Sequence, residues 1–315
     1  TNERNLIRKM IRHLFYISFC LIIQDVLFSQ SNLNFILLGV AQDGSYPHMG
    51  CEAVCCEPAW KDVKKARMVV SLAVLDSSLK KWYLFEATPD LPKQIHLFNQ
   101  LTNNTYPLLP EGIFITHAHI GHYSGLMQLG REVLNAKEIA VFGLERFCNF
   151  IRDNGPWSQL VKLNNIVLQT LNPDQKIMLS PKLSITAMKV PHRDEFSETA
   201  AYKIEVDGKS CLFIPDIDKW NLWNRSILDE VKKVDFAFLD ATFYSMDELK
   251  SRKIEEVPHP TVKETMALFA NESKDIKSKI VFIHFNHTNP LLWSKKQQKE
   301  LLQQGYRIGM QAKAY

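Results

Sequence analysis

The stretch Phe114-Ile115-Thr116-His117-Ala118-His119-Ile120-Gly121-His122 constrains this chain more than any other. Three of its ten histidines fall within six residues, directly after an apolar run. Such a run ending abruptly in polar residues reads as a buried strand that delivers a loop. Neutral imidazole is a ready ligand for zinc or iron, and an H-x-H-x-x-H spacing at a strand-to-helix corner can aim several rings at one point. The loop predicts a metal centre.

β-branched or aromatic runs at 36–40, 69–75, 81–86, 113–116 and 139–142 predict strands, as do 184–190, 199–206, 210–214 and 236–239. Apolar residues at helical spacing predict helices at 124–134, 145–153, 261–271 and 295–304. Two blocks of strands with helices outside predict an α/β chain in which two mixed β-sheets pack face to face, an α/β/β/α sandwich. No Pro/Gly/Ser-rich linker, charge block or internal repeat divides the sequence, so residues 31–315 read as a single domain. Hydrophobic residues at 46% with 23% charged are enough for a sizeable core and argue against disorder.

Net charge is only +4, and no run of lysine and arginine is interleaved with aromatics. A nucleic-acid partner is therefore not expected, and a small-molecule substrate is. Residues 1–30 read as an N-terminal extension containing a signal peptide: a short basic start from Met10, then an apolar run over 14–23 of secretory length. That run is too short for a comfortable membrane span. The segment predicts export to a periplasmic or extracellular location, with no stable membrane insertion.

The histidine loop resembles the first motif of the metallo-β-lactamase fold hydrolases, usually H-x-H-x-D-H. Later signals follow that family's order: Val190-Pro191-His192, Phe213-Ile214-Pro215-Asp216 and Phe282-Ile283-His284. The opening Leu37-Leu38-Gly39-Val40-Ala41-Gln42-Asp43-Gly44-Ser45-Tyr46-Pro47, the cysteines beyond it and Asn286-His287-Thr288-Asn289-Pro290 are similar to the pyrroloquinoline-quinone biosynthesis protein B branch. The cysteine cluster and paired late histidines also resemble the phosphodiesterase of phosphonate breakdown. The resemblance spans roughly residues 33–315.

The resemblance implies a first metal site of His117, His119 and His192, a second from His122 and His284, and Asp216 bridging both. It implies for Asp240 a hydrogen bond to a metal-bound histidine, which would fix the tautomer; a strand-end cap is the alternative. The departure is Gly121, where the family has an aspartate that binds the second metal. Glycine offers no ligand, so a weakened second site is expected, with Asp218, Asp194 and Glu195 as candidates to compensate. His259, between two prolines, reads as a turn residue, with a stiff loop reaching the substrate as the alternative, and His48 reads as a reserve ligand.

Cys51, Cys55 and Cys56 have the density of a zinc knuckle. Resemblance to the phosphonate-pathway enzyme supplies His287 as a fourth ligand, although the relatives use C-x-C-x-x-C where this chain has C-x-x-x-C-C. A disulfide from Cys51 to a neighbour is the rival reading, favoured by export. Cys148 and Cys211 read as buried small hydrophobes.

The expected function is a metal-dependent hydrolase of a small ester-like substrate, a phosphodiester or cyclic phosphate, with one or two Zn2+ at the active site and one structural. The alternative is a single-metal Fe2+ oxygenase or carrier in quinone cofactor maturation, which the loss of the aspartate at 121 motivates.

Overall fold

The computed structural model describes residues 34–249 and 258–315. The basic and apolar segments assigned to a signal peptide lie outside them. No helix among the described residues is long and apolar enough to cross a membrane.

Two sheets of seven strands each form the centre of the molecule. The first contains β1 (Phe35–Gly39), β2 (Ser71–Asp76), β3 (Lys81–Phe85), β4 (Gly112–Phe114), β5 (Ile139–Gly143) and β6 (Ile166–Thr170) side by side. The second contains β7 (Lys176–Ser180), β8 (Leu183–Val190), β9 (Thr199–Val206), β10 (Lys209–Ile214), β11 (Phe236–Asp240), β12 (Ile280–Ile283) and β13 (Arg307–Ile308). The last strand, β14 (Lys313–Ala314), returns to pair antiparallel with β1 in the first sheet. Each sheet is half antiparallel and half parallel: β3 to β6 run together, as do β10 to β13.

The continuous apolar runs have a direct cause. Strands covered on both faces lack the polar alternation of a half-exposed sheet. Along β1, Phe35 and Leu37 join the core shared with the second sheet, while Ile36 and Leu38 join the core under the helices of the first. Leu72 and Val74 divide in the same way from Ala73 and Leu75, and Tyr83 and Phe85 from Trp82 and Leu84. Helices Leu91–Leu101 and Glu145–Asp153 cover one side, and Ile227–Lys232 and Val262–Leu268 the other. The sandwich expected from the sequence is the one observed.

One expected element changes character. Residues 124–134 do not form one helix: a single turn, Ile120–Tyr123, is followed by a 3-10 helix, Ser124–Leu129, and then by turns. Gly125 explains the tightness, since a Cβ there would lie 2.1 Å from the Thr88 carbonyl oxygen. The chain is pressed against the end of β3, which fixes where His122 points. Cys148 and Cys211 are fully buried, as expected.

The strand that delivers the histidine loop is anchored by aromatic packing. Phe114 stacks between Phe85 at 4.8 Å and Phe142 at 4.3 Å between ring centroids and is inaccessible to solvent. Phe114→Ala is expected to lower stability by about 3–5 kcal/mol, read as a reduced denaturant midpoint with an unchanged slope.

Candidate metal centre

Parallel direction brings strand ends to one edge, and the chemistry-bearing side chains sit there. Asp43 follows β1, Glu86 follows β3, and Thr116 to His122 follow β4. On the second sheet His192 follows β8, Asp216 follows β10, Asp240 ends β11 and His284 follows β12. Glu86 and His284 adopt left-handed backbone, with φ of 73° and 63°, a strained conformation of the kind that collects at functional sites.

His117, His119 and His192 form one group whose ligand atoms all lie within 4.8 Å of one another. His117 Nε2 faces His119 Nδ1 at 2.8 Å. Asp43, His122 and His284 form a second group of the same size. Asp216 stands between them. Its Oδ2 lies 2.9 Å from His122 Nε2, 3.5 Å from His117 Nε2 and 3.4 Å from His284 Nε2, and its Oδ1 lies 3.9 Å from His192 Nε2. His117, His122, His192 and His284 converge on this carboxylate, His119 stands against His117, and Asp43 joins them from the loop after β1, a stretch in which the motifs imply no ligand.

The arrangement fits a metal. Asp43 Oδ1, His122 Nε2, His192 Nε2, Asp216 Oδ1 and His284 Nε2 are buried with no hydrogen-bond partner. Each such atom costs about 1–3 kcal/mol if left unsatisfied, and here all of them face the same space. Burial pushes His117, His119 and His284 below the ordinary imidazole range, which keeps them neutral and able to ligate. At His122 burial acts the same way but is outweighed by Glu86, Asp216 and Asp43, so the imidazole is held well above its usual range. Asp216 is held well below the carboxylate range because the surrounding histidines overcome its burial.

Each ligand histidine is oriented through its other nitrogen. Thr116 donates to Glu86 Oε1 at 2.5 Å and accepts from His117 Nδ1 at 2.8 Å. His192 Nδ1 donates to Asp218 at 3.1 Å, and His119 Nε2 to Glu195 at 3.1 Å. His122 Nδ1 lies 3.2 Å from Glu86 Oε1. Asp218 and Glu195 therefore do not replace the missing aspartate at 121, because each is turned toward the outer nitrogen of a first-group histidine. Asp194 belongs to neither ligand group.

Asp240 reaches further than expected. Its Oδ1 accepts from Thr242 Oγ1 at 2.7 Å, and that hydroxyl accepts from His284 Nδ1 at 2.9 Å. Its Oδ2 accepts directly from His259 Nδ1 at 2.8 Å. His259 is buried, lies 3.3 Å from Asp216 Oδ1 and is pushed above the ordinary imidazole range, Asp240 and Asp216 together overcoming its burial. Reading it as a turn residue undervalued it. The only sequence signal was its rigid setting between Pro258 and Pro260.

Cys51, Cys55, Cys56 and His287 form a separate group. Sγ atoms of Cys51 and Cys55 are 3.7 Å apart, and His287 Nδ1 is 3.4 Å from Cys56 Sγ and 3.8 Å from Cys55 Sγ. All three thiols are free, and 3.7 Å is far beyond a sulfur–sulfur bond of about 2.05 Å. The unusual spacing works because Cys55 and Cys56 turn directly into the helix Glu57–Lys61, while Trp60 Nε1 ties down the Cys51 carbonyl at 2.7 Å. Burial pushes Cys56 up to about 12 and His287 down. A cation would draw the protons off the thiols. His48 stands outside this group, and its ring stacks on His287 at 4.5 Å.

Comparison with known proteins follows this geometry. The beta-lactamase superfamily domain profile matches residues 81–309. Coenzyme PQQ synthesis protein B of Gluconobacter oxydans is 24% identical over 292 residues, 85% of this chain and 93% of that protein. Its counterpart in Methylorubrum populi is 24% identical over 284 residues, 82% of this chain and 91% of that protein. Zn(2+)-bound PqqB from Methylobacterium extorquens superposes with a TM-score of 0.73 at 19% identity, covering 90% of this chain and 99% of that one. A diphosphatase of the PhnP family gives a TM-score of 0.65 at 17% identity, covering 90% and 96%.

The cysteine group makes a separable demand. Cys56→Ser and His287→Ala are each expected to lower the metal content by one ion per chain, counted by elemental analysis, while ions at the histidine groups stay bound.

Proposed function

We propose, from the premise that the chain belongs to the beta-lactamase superfamily domain family, that it is a metal-dependent hydrolase of small phosphodiesters, cyclic phosphates or diphosphates. The observation that carries this reading is the pair of ligand groups joined by Asp216, with the Asp240–His259 pair standing beside the same carboxylate.

His117, His119, His192 and Asp216 would hold one ion, and Asp43, His122, His284 and Asp216 another. Bound metal supplies Lewis acidity and a water of lowered pKa. The chain supplies the remaining parts. Asp240 accepts the Nδ1 proton of His259 and so leaves its Nε2 for the substrate. A histidine whose basicity is raised by buried carboxylates suits a general acid that donates to a departing oxygen. Arg193 lies close enough to His259 to oppose that protonation and is half-exposed, a placement suited to an anionic substrate. The segment carrying Arg193 also packs on the histidine loop, where Ala118 N–H donates to Ser197 Oγ at 2.9 Å. The PhnP-family likeness supports a phosphorus-centred substrate. The modest net charge supports a small molecule rather than a nucleic acid.

A second reading is favoured by the relatives named coenzyme PQQ synthesis protein B, which this chain matches along most of their length. In it the chain serves quinone cofactor maturation, with Fe2+ in the histidine groups. Oxygen uptake by the iron-loaded protein with a quinone precursor, and no turnover of phosphate esters, would select it.

For the hydrolase, metal-replete protein is expected to turn over at least one member of a phosphodiester, cyclic phosphate and diphosphate panel. His259→Ala should lower kcat by roughly 10²–10⁴ for alkyl leaving groups, the span usual for general acid catalysis. It should change kcat little for nitrophenyl leaving groups, which need no proton. Equal loss on both would remove His259 from the role of acid.

A further inference from the structure

We infer that Asp43 is the second-site carboxylate of this chain, moved from the histidine loop onto the loop after β1, and that Gly121 is the residue that makes room for it. The inference deepens the hydrolase reading and rests on its metal centre.

The space belongs to one side chain or the other. A Cβ built on Gly121 would lie 2.0 Å from Asp43 Oδ1, 2.8 Å from its Cγ and 2.6 Å from its Cα. Real Cβ atoms do not approach other heavy atoms this closely, so even alanine at 121 would displace the Asp43 backbone. Gly121 does not adopt a positive φ, and so the glycine is required by this contact rather than by its own conformation.

The carboxylate in that space is aimed. Asp43 Oδ1 lies 3.3 Å from His122 Nε2, and these two atoms with a ring nitrogen of His284 fall within 4.8 Å of one another. Oδ1, His122 Nε2 and His284 Nε2 are buried and lack hydrogen-bond partners, and both histidines are wholly inaccessible to solvent. Three unpartnered atoms from three strand ends, with Asp216 Oδ2 alongside, make a mixed imidazole and carboxylate donor set suited to a divalent cation such as Zn2+.

The loop bearing Asp43 is fastened to the loop bearing His284. Gln42 N–H donates to the Phe285 carbonyl and Phe285 N–H to the Val40 carbonyl, both at 2.9 Å. Asn286 Nδ2 donates to Gln42 Oε1 at 2.6 Å. Asp43 is thus positioned from the second sheet's ligand rather than by the turn that carries His122.

The test counts metal, without substrate. Wild-type protein, Asp43→Ala, Asp43→Asn, Gly121→Ala and the control Asp218→Ala would be stripped and titrated with Zn2+ against a chromophoric chelator, and loaded samples counted by elemental analysis. Circular dichroism of each stripped protein would report folding. Asp43→Ala is expected to fold and to lose one ion per chain, or to weaken the second active-site ion by more than the roughly 10–100-fold typical of an outer hydrogen-bond partner. Asp43→Asn, which keeps the shape, should do the same. Gly121→Ala should weaken the same ion by displacing Asp43, whereas Asp218→Ala, which removes the outer partner of His192, should act on the first-group ion and leave the second-site ion as tight as in wild type. An Asp43→Ala protein with wild-type count and affinity would overturn the inference, as would a Gly121→Ala protein that binds as wild type does. Failure of the hydrolase reading would look different: full metal loading with no turnover on the substrate panel.

Discussion

One buried carboxylate organises this molecule's chemistry. Asp216 touches histidines from both sheets, and nothing but proximity of strand ends could bring them together. His117 and His122 arrive from the first sheet, His192, His259 and His284 from the second. An anion so deeply buried is costly unless positive charge or donors surround it. The two sheets must therefore meet in one register at this edge, and the aromatic stacking of Phe85, Phe114 and Phe142 behind the histidine loop holds that register.

Support radiates outward in layers of hydrogen bonds. Glu86 serves two histidines at once, His122 directly and His117 through Thr116. Asp240 likewise serves His259 directly and His284 through Thr242. Both acids are fully buried, Glu86 directly after β3 and Asp240 as the last residue of β11. The correspondence gives the two halves of the site the same construction: an acid at the strand end, a threonine relay, and an imidazole whose free nitrogen faces the centre.

Much of this was legible before any coordinates. The cluster of His117, His119 and His122 after an apolar run pointed to a metal by itself, whereas His192, Asp216 and His284 were implied by the resemblance to the metallo-β-lactamase fold hydrolases. Asp43 was not legible, since a carboxylate in the loop after β1 carries no trace of the glycine it fills. Asp218 and Glu195 stand close in sequence to Asp216 and His192, yet each bonds a histidine far along the chain, Asp218 the outer nitrogen of His192 and Glu195 that of His119. The 124–134 segment has helical periodicity, but the backbone contact at Gly125 overrides it. The cysteine spacing looked defective only because a spacing rule ignores which residues sit at a turn.

The unpartnered atoms at the strand ends tie the chain's persistence to its surroundings. A ligand that binds the folded form and not the unfolded one stabilises it by RT ln(1 + [L]/Kd), about 2.7 kcal/mol at a hundred times Kd. With candidate ligands gathered at two histidine groups and one cysteine group, the folded population becomes a function of free metal concentration. Scarcity would then act on how long the protein survives as well as on what it can do, and a cell or compartment poor in the metal would hold less of it.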